Sequence, residues 1–148
     1  MAMSYGHAYV ARVAFGAKDA QTVKAFTEAE AYPGPSLIIA YSPCIAHGYD
    51  LAFGAEQQKL AVDTGYWPLF RFDPRRLAGG ENPLMLDSGP AVKGDLGAFQ
   101  RNETRFRLVE QQSPDRFKEL LTRSRYEAAL RLSIYDQLSK MTLPAVKG

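Results

Sequence analysis

The stretch that decides the fold reads Ser36-Leu37-Ile38-Ile39-Ala40-Tyr41-Ser42-Pro43-Cys44-Ile45-Ala46-His47-Gly48. Residues 37–40 form an unbroken apolar run of strand length, which predicts a strand that is covered on both faces. Pro43 ends this strand, because proline has no N–H to donate to a sheet. Cys44 therefore follows the carboxyl end of the strand, which is the edge where open α/β sheets bind ligands.

The residues before this stretch predict a strand followed by a helix. Residues 7–15 are rich in β-branched and aromatic side chains and end at a glycine, as strands do. Val23, Phe26 and Ala29 recur at helical spacing, so they are predicted to lie on one face of a helix that ends at Pro33. This helix is long enough for a parallel crossover, so we expect a partial doubly wound, mostly parallel sheet.

The residues after the stretch predict two further pieces of the α/β part. A helix is expected over residues 55–64, with Gly65 in the left-handed conformation just past its end. Residues 66–72 read as a third strand, and Pro68 within that run predicts an edge strand or a bulge. Residues 84–86 are a candidate for one more short extended segment.

The last third of the chain predicts a helical tail. Residues 87–97 lose periodicity and gather Gly, Pro, Ser and Asp, which divides the chain into an α/β part (1–90) and a tail (91–148). Ser113 and Pro114 form a helix start, and the helix should run to about residue 140, where Leu143-Pro144 ends it. Its apolar stripe consists of Phe117, Leu120, Leu121, Ala128, Leu132, Tyr135 and Leu138.

Composition and charge exclude several classes of protein. The 148 residues are 46% hydrophobic and 23% charged, which is typical of a globular domain. The net charge of +2 gives no indication of a nucleic-acid partner or a membrane surface. No apolar run approaches the roughly 20 residues that span a bilayer, and the first residues lack the features of a secretory signal. A single cysteine forms no internal disulfide, so we expect a cytoplasmic protein.

Cys44 is the residue with the clearest chemical potential, and its role is open on the residues alone. A lone cysteine is commonly a buried structural thiol. A thiolate nucleophile with His47 as its base is a second possibility, which would make the chain a small cysteine hydrolase. With two histidines and one cysteine in the chain, the strong zinc spacings are absent.

Several long runs resemble the C-terminal region of the pyruvate:ferredoxin (flavodoxin) oxidoreductases. The resemblance is carried by residues 28–41, by Pro43-Cys44-Ile45, by His47-Gly48, and by residues 61–74 and 82–88. It covers roughly the first two-thirds of the chain strongly and the helical tail more loosely. It implies the C-terminal portion of a thiamine diphosphate-binding fold. Enzymes of this family are many times longer, so the chain resembles a piece of one.

The resemblance implies a specific role for Cys44. The cysteine of this motif in the family is the fourth ligand of the 4Fe-4S cluster nearest the thiamine cofactor. A 4Fe-4S cluster takes four cysteine thiolates, and this chain supplies one, so we expect it to hold neither cluster nor thiamine alone. The ligands of thiamine diphosphate and Mg²⁺ are expected upstream of the region matched. His47 is expected to be a hydrogen-bonding residue of the cluster loop or a surface residue.

The resemblance also implies a reaction and a set of partners. The complete enzyme would oxidatively decarboxylate pyruvate with coenzyme A to acetyl-CoA and carbon dioxide. Electrons would leave through iron–sulfur clusters to ferredoxin or flavodoxin, and the enzyme would be a homodimer. The chain by itself is expected to be inactive. The alternative is a non-catalytic, truncated or split-gene interaction module that docks on partner domains.

Three further groups of residues are weaker candidates for a functional site. Gly94-Asp95-Leu96-Gly97 shares its start with the thiamine diphosphate motif but lacks the preceding strand and the later asparagine. Gly16-Ala17-Lys18 lacks the further glycines and the ending of a phosphate-binding P-loop. Arg71, Arg75 and Arg76 are expected to be a solvated face, or else a docking patch for an acidic ferredoxin or flavodoxin or for coenzyme A phosphates.

Overall fold

The computed structural model describes residues 1–142, which form a mixed α/β fold. The strands are β1 (Tyr9–Val13), β2 (Ser36–Ala40), β3 (Phe70–Phe72) and β4 (Leu84–Leu86). The α-helices are α1 (Asp19–Glu30), α2 (Gly54–Asp63), α3 (Leu96–Arg101), α4 (Thr104–Gln112) and α5 (Pro114–Lys140). None of the helices within residues 1–142 combines the length and the apolar character that crossing a membrane requires.

The four strands form one sheet in the order β2-β1-β3-β4. β1 and β2 are parallel and are joined by the crossover helix α1, whereas β3 runs antiparallel to both β1 and β4. The predicted α/β class with a helical tail is confirmed, but the sheet is mixed rather than mostly parallel. The reason is that β3 and β4 are joined without a crossover helix of their own, and strands joined in this way pair antiparallel.

β1 is the central strand and is covered on both faces. Tyr9, Ala11 and Val13 alternate along it and pack with Ala25 of α1. Side chains on the opposite face join a cluster with β3, β4 and Tyr135 of α5. A third cluster unites the helices of the tail with α2 and contains Ala61, Leu96, Phe99, Phe117, Leu121 and Ala128. The helical tail therefore shares buried contacts with the α/β part, while the boundary near residue 90 stays a prediction.

Helix positions are predicted better than helix faces. Helix α5 begins after Ser113 and ends at Lys140, as expected, and Gly65 has a φ of 71°. The predicted stop at Leu143-Pro144 lies outside the described residues. In helix α1, Val23 and Phe26 are more than half exposed. Its buried residues are Gln21, Thr22 and Ala25, and Gln21 donates to the Arg12 carbonyl of β1 and to Asp87.

Two predicted strand environments are also corrected. β2 is an edge strand with Leu37 44% and Ile39 40% exposed, because it pairs only with β1 and helix α1 covers only one of its faces. β3 is an interior strand, paired on both sides, and Pro68 precedes it rather than interrupting it. The apolar run at residues 37–40 therefore lies at an open edge of the sheet.

The open edge of β2 makes a prediction about the isolated chain. Unpaired N–H and C=O groups beside exposed apolar side chains are a template for pairing with another chain. We expect concentration-dependent self-association, and we expect Ile39→Lys to shift the population to monomer because a charge on the edge opposes pairing. Sedimentation velocity checks this. Ile134→Lys places the same charge on the exposed side of α5 and should leave self-association unchanged; a wild-type monomer at high concentration would contradict the expectation.

Candidate functional site

The candidate site is the cysteine loop, residues 41–48, which follows β2. Tyr41 donates its N–H to the carbonyl of Val13 at 3.0 Å, which fixes the start of the loop to the sheet. Cys44 is a free thiol of intermediate burial and precedes a short 3-10 turn. Gly48 ends that turn with a φ of 72°, a left-handed conformation that favours glycine. The structure therefore places Cys44 beyond the carboxyl end of a strand, where the sequence predicts it.

The end of the cysteine loop is held by the first residue of α4. The carbonyl of Gly48 accepts hydrogen bonds from the Thr104 hydroxyl at 2.6 Å and from the Thr104 N–H at 3.2 Å. Arg107 in turn donates to the Thr104 hydroxyl oxygen at 2.7 Å. A Cβ at position 48 would lie 2.5 Å from the Cβ of Thr104, so no larger residue fits between them.

A buried carboxylate lies beside this contact. Glu103 is 0% exposed and accepts hydrogen bonds from Gln57 Nε2 at 3.0 Å and from Arg105 Nε at 2.6 Å. His47 Nδ1 lies 3.9 Å from Glu103 Oε1. Asn102 donates to Gln57 Oε1 at 3.0 Å, which orients the amide that contacts Glu103. A buried charge is costly unless it is paired and hydrogen-bonded, and these groups meet that requirement.

Three buried polar atoms of this region have no hydrogen-bond partner within residues 1–142. They are the hydroxyls of Tyr41 and Tyr49 and Nδ1 of His47. Burial, followed by the charge of Glu103, raises the pKa of both tyrosines. Both phenols therefore remain protonated at neutral pH and keep a hydrogen to donate. Unpaired buried donors are uncommon in native proteins, which marks this loop as a place where a further group could bind.

A cavity of about 590 Å³ opens beside the cysteine loop. Its lining includes Gly48, Tyr49, Phe53, Gln57 and Arg107. Its other lining residues are Asp50, Glu56 and Asn102, so polar and charged side chains outnumber the two aromatic ones.

The structure argues against two of the alternative roles considered for this loop. The His47 ring faces Glu103, and no hydrogen bond in the described part of the chain joins it to the Cys44 thiol, so the nucleophile–base pair of a hydrolase is not assembled. Across residues 1–142, no three His, Cys, Asp or Glu side chains are grouped as a metal site would require.

The three arginines of the predicted basic cluster each pair with a carboxylate of the same chain. Arg71 is buried against Glu28 and Asp87, with nitrogen–oxygen distances of 2.6 and 2.9 Å. Arg75 pairs with Asp73, and Arg76 pairs with Glu81, at 2.7 and 2.9 Å. Arg71 is too buried to belong to a solvated face or a docking patch, whereas the side chains of Arg75 and Arg76 are 39% and 35% exposed, so both readings stay predictions for those two residues.

The remaining candidates have ordinary structural roles. Asp95 accepts a hydrogen bond from the N–H of Gly97 at 2.9 Å and one from Arg125 at 2.7 Å, so it caps α3. Gly16 approaches α2 closely, since a Cβ there would lie 2.7 Å from the Cα of Ala55, and its N–H donates to Gln58. Sequence reasoning missed Glu103 and Thr104, because their contacts with Gln57 and Gly48 join residues that are 46 and 56 positions apart.

Gly48→Ala is expected to destabilise the chain by about 2 kcal/mol. The left-handed conformation alone costs a non-glycine residue roughly 1–2 kcal/mol, and the new Cβ would meet Thr104. Urea unfolding measures the change. Gly80→Ala is the matched control, because Gly80 has nearly the same φ but nothing within 4 Å of a new Cβ. Equal losses for the two variants would show that the contact with Thr104 has no role.

Comparison with known proteins finds close relatives along nearly the whole chain, although no family model matches it. A pyruvate-flavodoxin oxidoreductase of Rhodospirillum rubrum is 49% identical over 139 residues, and one of Nostoc is 46% identical over 140; each match covers 94% of this chain. A pyruvate:ferredoxin oxidoreductase of Moorella thermoacetica is 42% identical over 140 residues, or 95% of the chain. The chain spans 12% of the length of each of these relatives.

Proposed function

Because this chain belongs to the pyruvate:ferredoxin (flavodoxin) oxidoreductase family as a segment, we propose that it supplies one cysteine ligand to an iron–sulfur cluster of such an enzyme. The segment corresponds to the C-terminal part of the thiamine diphosphate-binding domain, with its helical tail. Cys44 is the fourth ligand of the 4Fe-4S cluster nearest the thiamine. The observation that carries this proposal is the position of a free, half-buried thiol at the ligand edge of the sheet.

The donor set of the chain fits one corner of a cluster. A 4Fe-4S cluster is bound by four cysteine thiolates, and this sequence contains one cysteine. The other three ligands come from the remainder of the oxidoreductase. The unpartnered hydroxyls of Tyr41 and Tyr49 are additional support, because hydrogen bonds and burial around a cluster set its potential.

When bound, the cluster accepts and passes on single electrons. The residues of this chain hold the start of the loop that carries the thiol. Tyr41 packs edge-on against Trp67 with ring centroids 5.3 Å apart, and Trp67 donates to the carbonyl of Val13 at 3.0 Å. These contacts hold Tyr41, the first residue of the cysteine loop, against the sheet.

The complete enzyme would convert pyruvate and coenzyme A to acetyl-CoA and carbon dioxide. The two electrons released would pass through iron–sulfur clusters to ferredoxin or flavodoxin. Thiamine diphosphate and Mg²⁺ would be held by the remainder of the enzyme, and the assembly would be a cytoplasmic homodimer. These proposals rest on the relatives, since pyruvate and flavodoxin or ferredoxin stand in their names.

A second candidate is an interaction module without activity of its own. It is favoured by the open edge of β2 together with Phe15, Val23 and Phe26, which are all more than half exposed. Such a surface would dock on other parts of the oxidoreductase. The two candidates differ in whether Cys44 is needed once the module has docked.

A segment exchange separates the two candidates. The corresponding segment of the Rhodospirillum rubrum enzyme is replaced by this chain, at 49% identity over the matched residues, and pyruvate-dependent reduction of flavodoxin is measured. Retained activity supports both candidates as parts of the enzyme. Retained activity that then disappears with Cys44→Ser supports cluster ligation, whereas activity that survives this change supports a docking role alone.

A further inference from the structure

The cysteine loop is fixed at its two ends and makes few bonds in between. Its first fixed point is the bond from the Tyr41 N–H to Val13, and its last is the bond from Thr104 to the Gly48 carbonyl. In the described structure, the backbone hydrogen bonds between these two points stay within the loop: the His47 N–H donates to the Cys44 carbonyl and the Gly48 N–H to the Ile45 carbonyl, both at 3.0 Å. The direction of the Cys44 side chain therefore depends on where the two fixed points hold the loop.

We propose that Glu103 and Thr104, at the start of α4, are positioning residues that hold the Cys44 thiol in place for its ligand role. This assigns a part of the helical tail to the redox site. The importance of the positioning rests on the proposed function, because it matters only if Cys44 binds iron. The positioning itself can be measured on the chain without any metal.

Thr104 acts on the loop through two donors aimed at one acceptor. Its hydroxyl and its N–H both bond to the Gly48 carbonyl, at 2.6 and 3.2 Å. The hydroxyl also accepts from Arg107, so its orientation is set by a third group. Gly48 fits against Thr104 closely enough that even a methyl group would collide. The loop end can therefore take up only one position relative to α4.

Glu103 lies in the interior beside the contact between Thr104 and Gly48. Its carboxylate is fully buried and is held by Gln57 from α2 and by Arg105 from α4. It faces His47, the last residue of the 3-10 turn that begins after Cys44. Because Gln57 also donates to the Phe99 carbonyl at 3.1 Å, the carboxylate joins α2, α3 and α4, and it lies 3.9 Å from His47 Nδ1 of the cysteine loop without a hydrogen bond. Residues that orient a metal ligand in this way commonly change metal affinity about 10- to 100-fold when they are replaced.

The test compares Thr104→Val with Thr104→Ser. Valine keeps the shape of threonine but removes the hydroxyl bond to Gly48, whereas serine keeps the bond and removes only a methyl group. The readout is the rate at which iodoacetamide alkylates Cys44, the only cysteine, followed by mass spectrometry on the folded chain. We expect Thr104→Val to alkylate about fivefold faster, which is the change in a local opening equilibrium when one typical hydrogen bond is lost. Thr104→Ser should match the wild type.

Controls separate positioning from general loss of stability. Leu132→Ala removes a buried side chain of α5 and should lower the unfolding midpoint without changing the alkylation rate under native conditions. If circular dichroism shows Thr104→Val to be unfolded, the alkylation rate of Glu103→Gln is compared with that of the wild type instead. The proposal is overturned if Thr104→Val alkylates at the wild-type rate, if Leu132→Ala accelerates alkylation equally, or if both α4 variants fail to fold.

The same variants distinguish this proposal from the proposed function. In the exchanged Rhodospirillum rubrum enzyme, Thr104→Val should retain less iron than Thr104→Ser after gel filtration. Faster alkylation in the isolated chain without any cluster in the exchanged enzyme would leave the positioning intact and refute the ligand role. If the iron content of the exchanged enzyme depends on Cys44 but not on Thr104, the ligand role is supported and the positioning role of Thr104 is refuted.

Discussion

Replacement of Arg71 by alanine is expected to destabilise the chain by about 3 kcal/mol, the largest stability effect of any single change considered. The guanidinium is 8% exposed and lies between two carboxylates. It donates twice to Glu28, at 2.6 and 2.8 Å, and twice to Asp87, both at 2.9 Å. Removal of the cation would leave two largely buried negative charges without their partner, and this is the costly way to break a buried ion pair.

The surroundings of Arg71 strengthen this expectation. Tyr9 donates to Glu28 at 2.9 Å, and Gln21 donates to Asp87 at 2.9 Å, so each carboxylate is already held in place from the opposite side. Hydrogen bonds to Asp87, and then to Glu28, raise the pKa of Arg71 despite its burial, so the side chain stays charged. The network joins β1, β3 and α1 beneath the sheet.

Urea unfolding measures the loss, and Arg76→Ala is the matched control. The pair of Arg76 with Glu81 is 35% and 60% exposed, and exposed pairs contribute about 0–1 kcal/mol. Arg71→Lys is informative as well, because lysine keeps the charge but cannot bond to both carboxylates through a planar fork. Losses of the same size for Arg71→Ala and Arg76→Ala would contradict the importance of burial at this network.

Cys44→Ser is expected to abolish electron transfer in the exchanged enzyme while the isolated chain stays folded. Thiolate sulfur is a much better ligand for cluster iron than a serine hydroxyl, so the cluster loses one of its four ligands. We expect pyruvate-dependent flavodoxin reduction to fall by about 100-fold or more. The isolated chain should lose less than about 1 kcal/mol, since Cys44 is only half-buried and no partner of its side chain is lost.

This contrast between function and stability is the informative result. A cysteine that is merely structural would show the opposite pattern, with a clear loss of stability and little effect on electron transfer. Ser42→Ala is the control within the same loop, because its hydroxyl bonds only to the neighbouring Pro43 carbonyl, at 3.4 Å. It should leave both activity and stability close to those of the unchanged exchanged enzyme.

The sequence predicts the local elements of this fold well because each has a local cause. Helix α5 begins where Ser113 and Pro114 place it, and β1 alternates between two buried faces, as its side chains indicate. The position of Cys44 beyond the end of β2 follows from Pro43 in the same way. These features depend on residues within a few positions of one another.

The failures have a common physical cause, which is that burial depends on distant partners. The apolar residues of β2 predict buried faces, yet Leu37 and Ile39 are exposed here. Apolar patterns indicate which side chains are buried in the complete protein. The relatives of this chain are about eight times longer than the part matched, so parts of a complete enzyme that this chain lacks would be available to cover these side chains. Glu103 and Gln57 meet across 46 positions of sequence, so no local pattern could have indicated their contact.

The iron content of the exchanged enzyme, measured side by side with and without Cys44→Ser, tests the assignment of Cys44 most directly. We expect the enzyme with Cys44 to hold about four more iron atoms per polypeptide than the serine variant, which is the iron of one 4Fe-4S cluster. Equal iron in the two proteins, with equal reduction of flavodoxin by pyruvate, would show that this thiol binds no cluster.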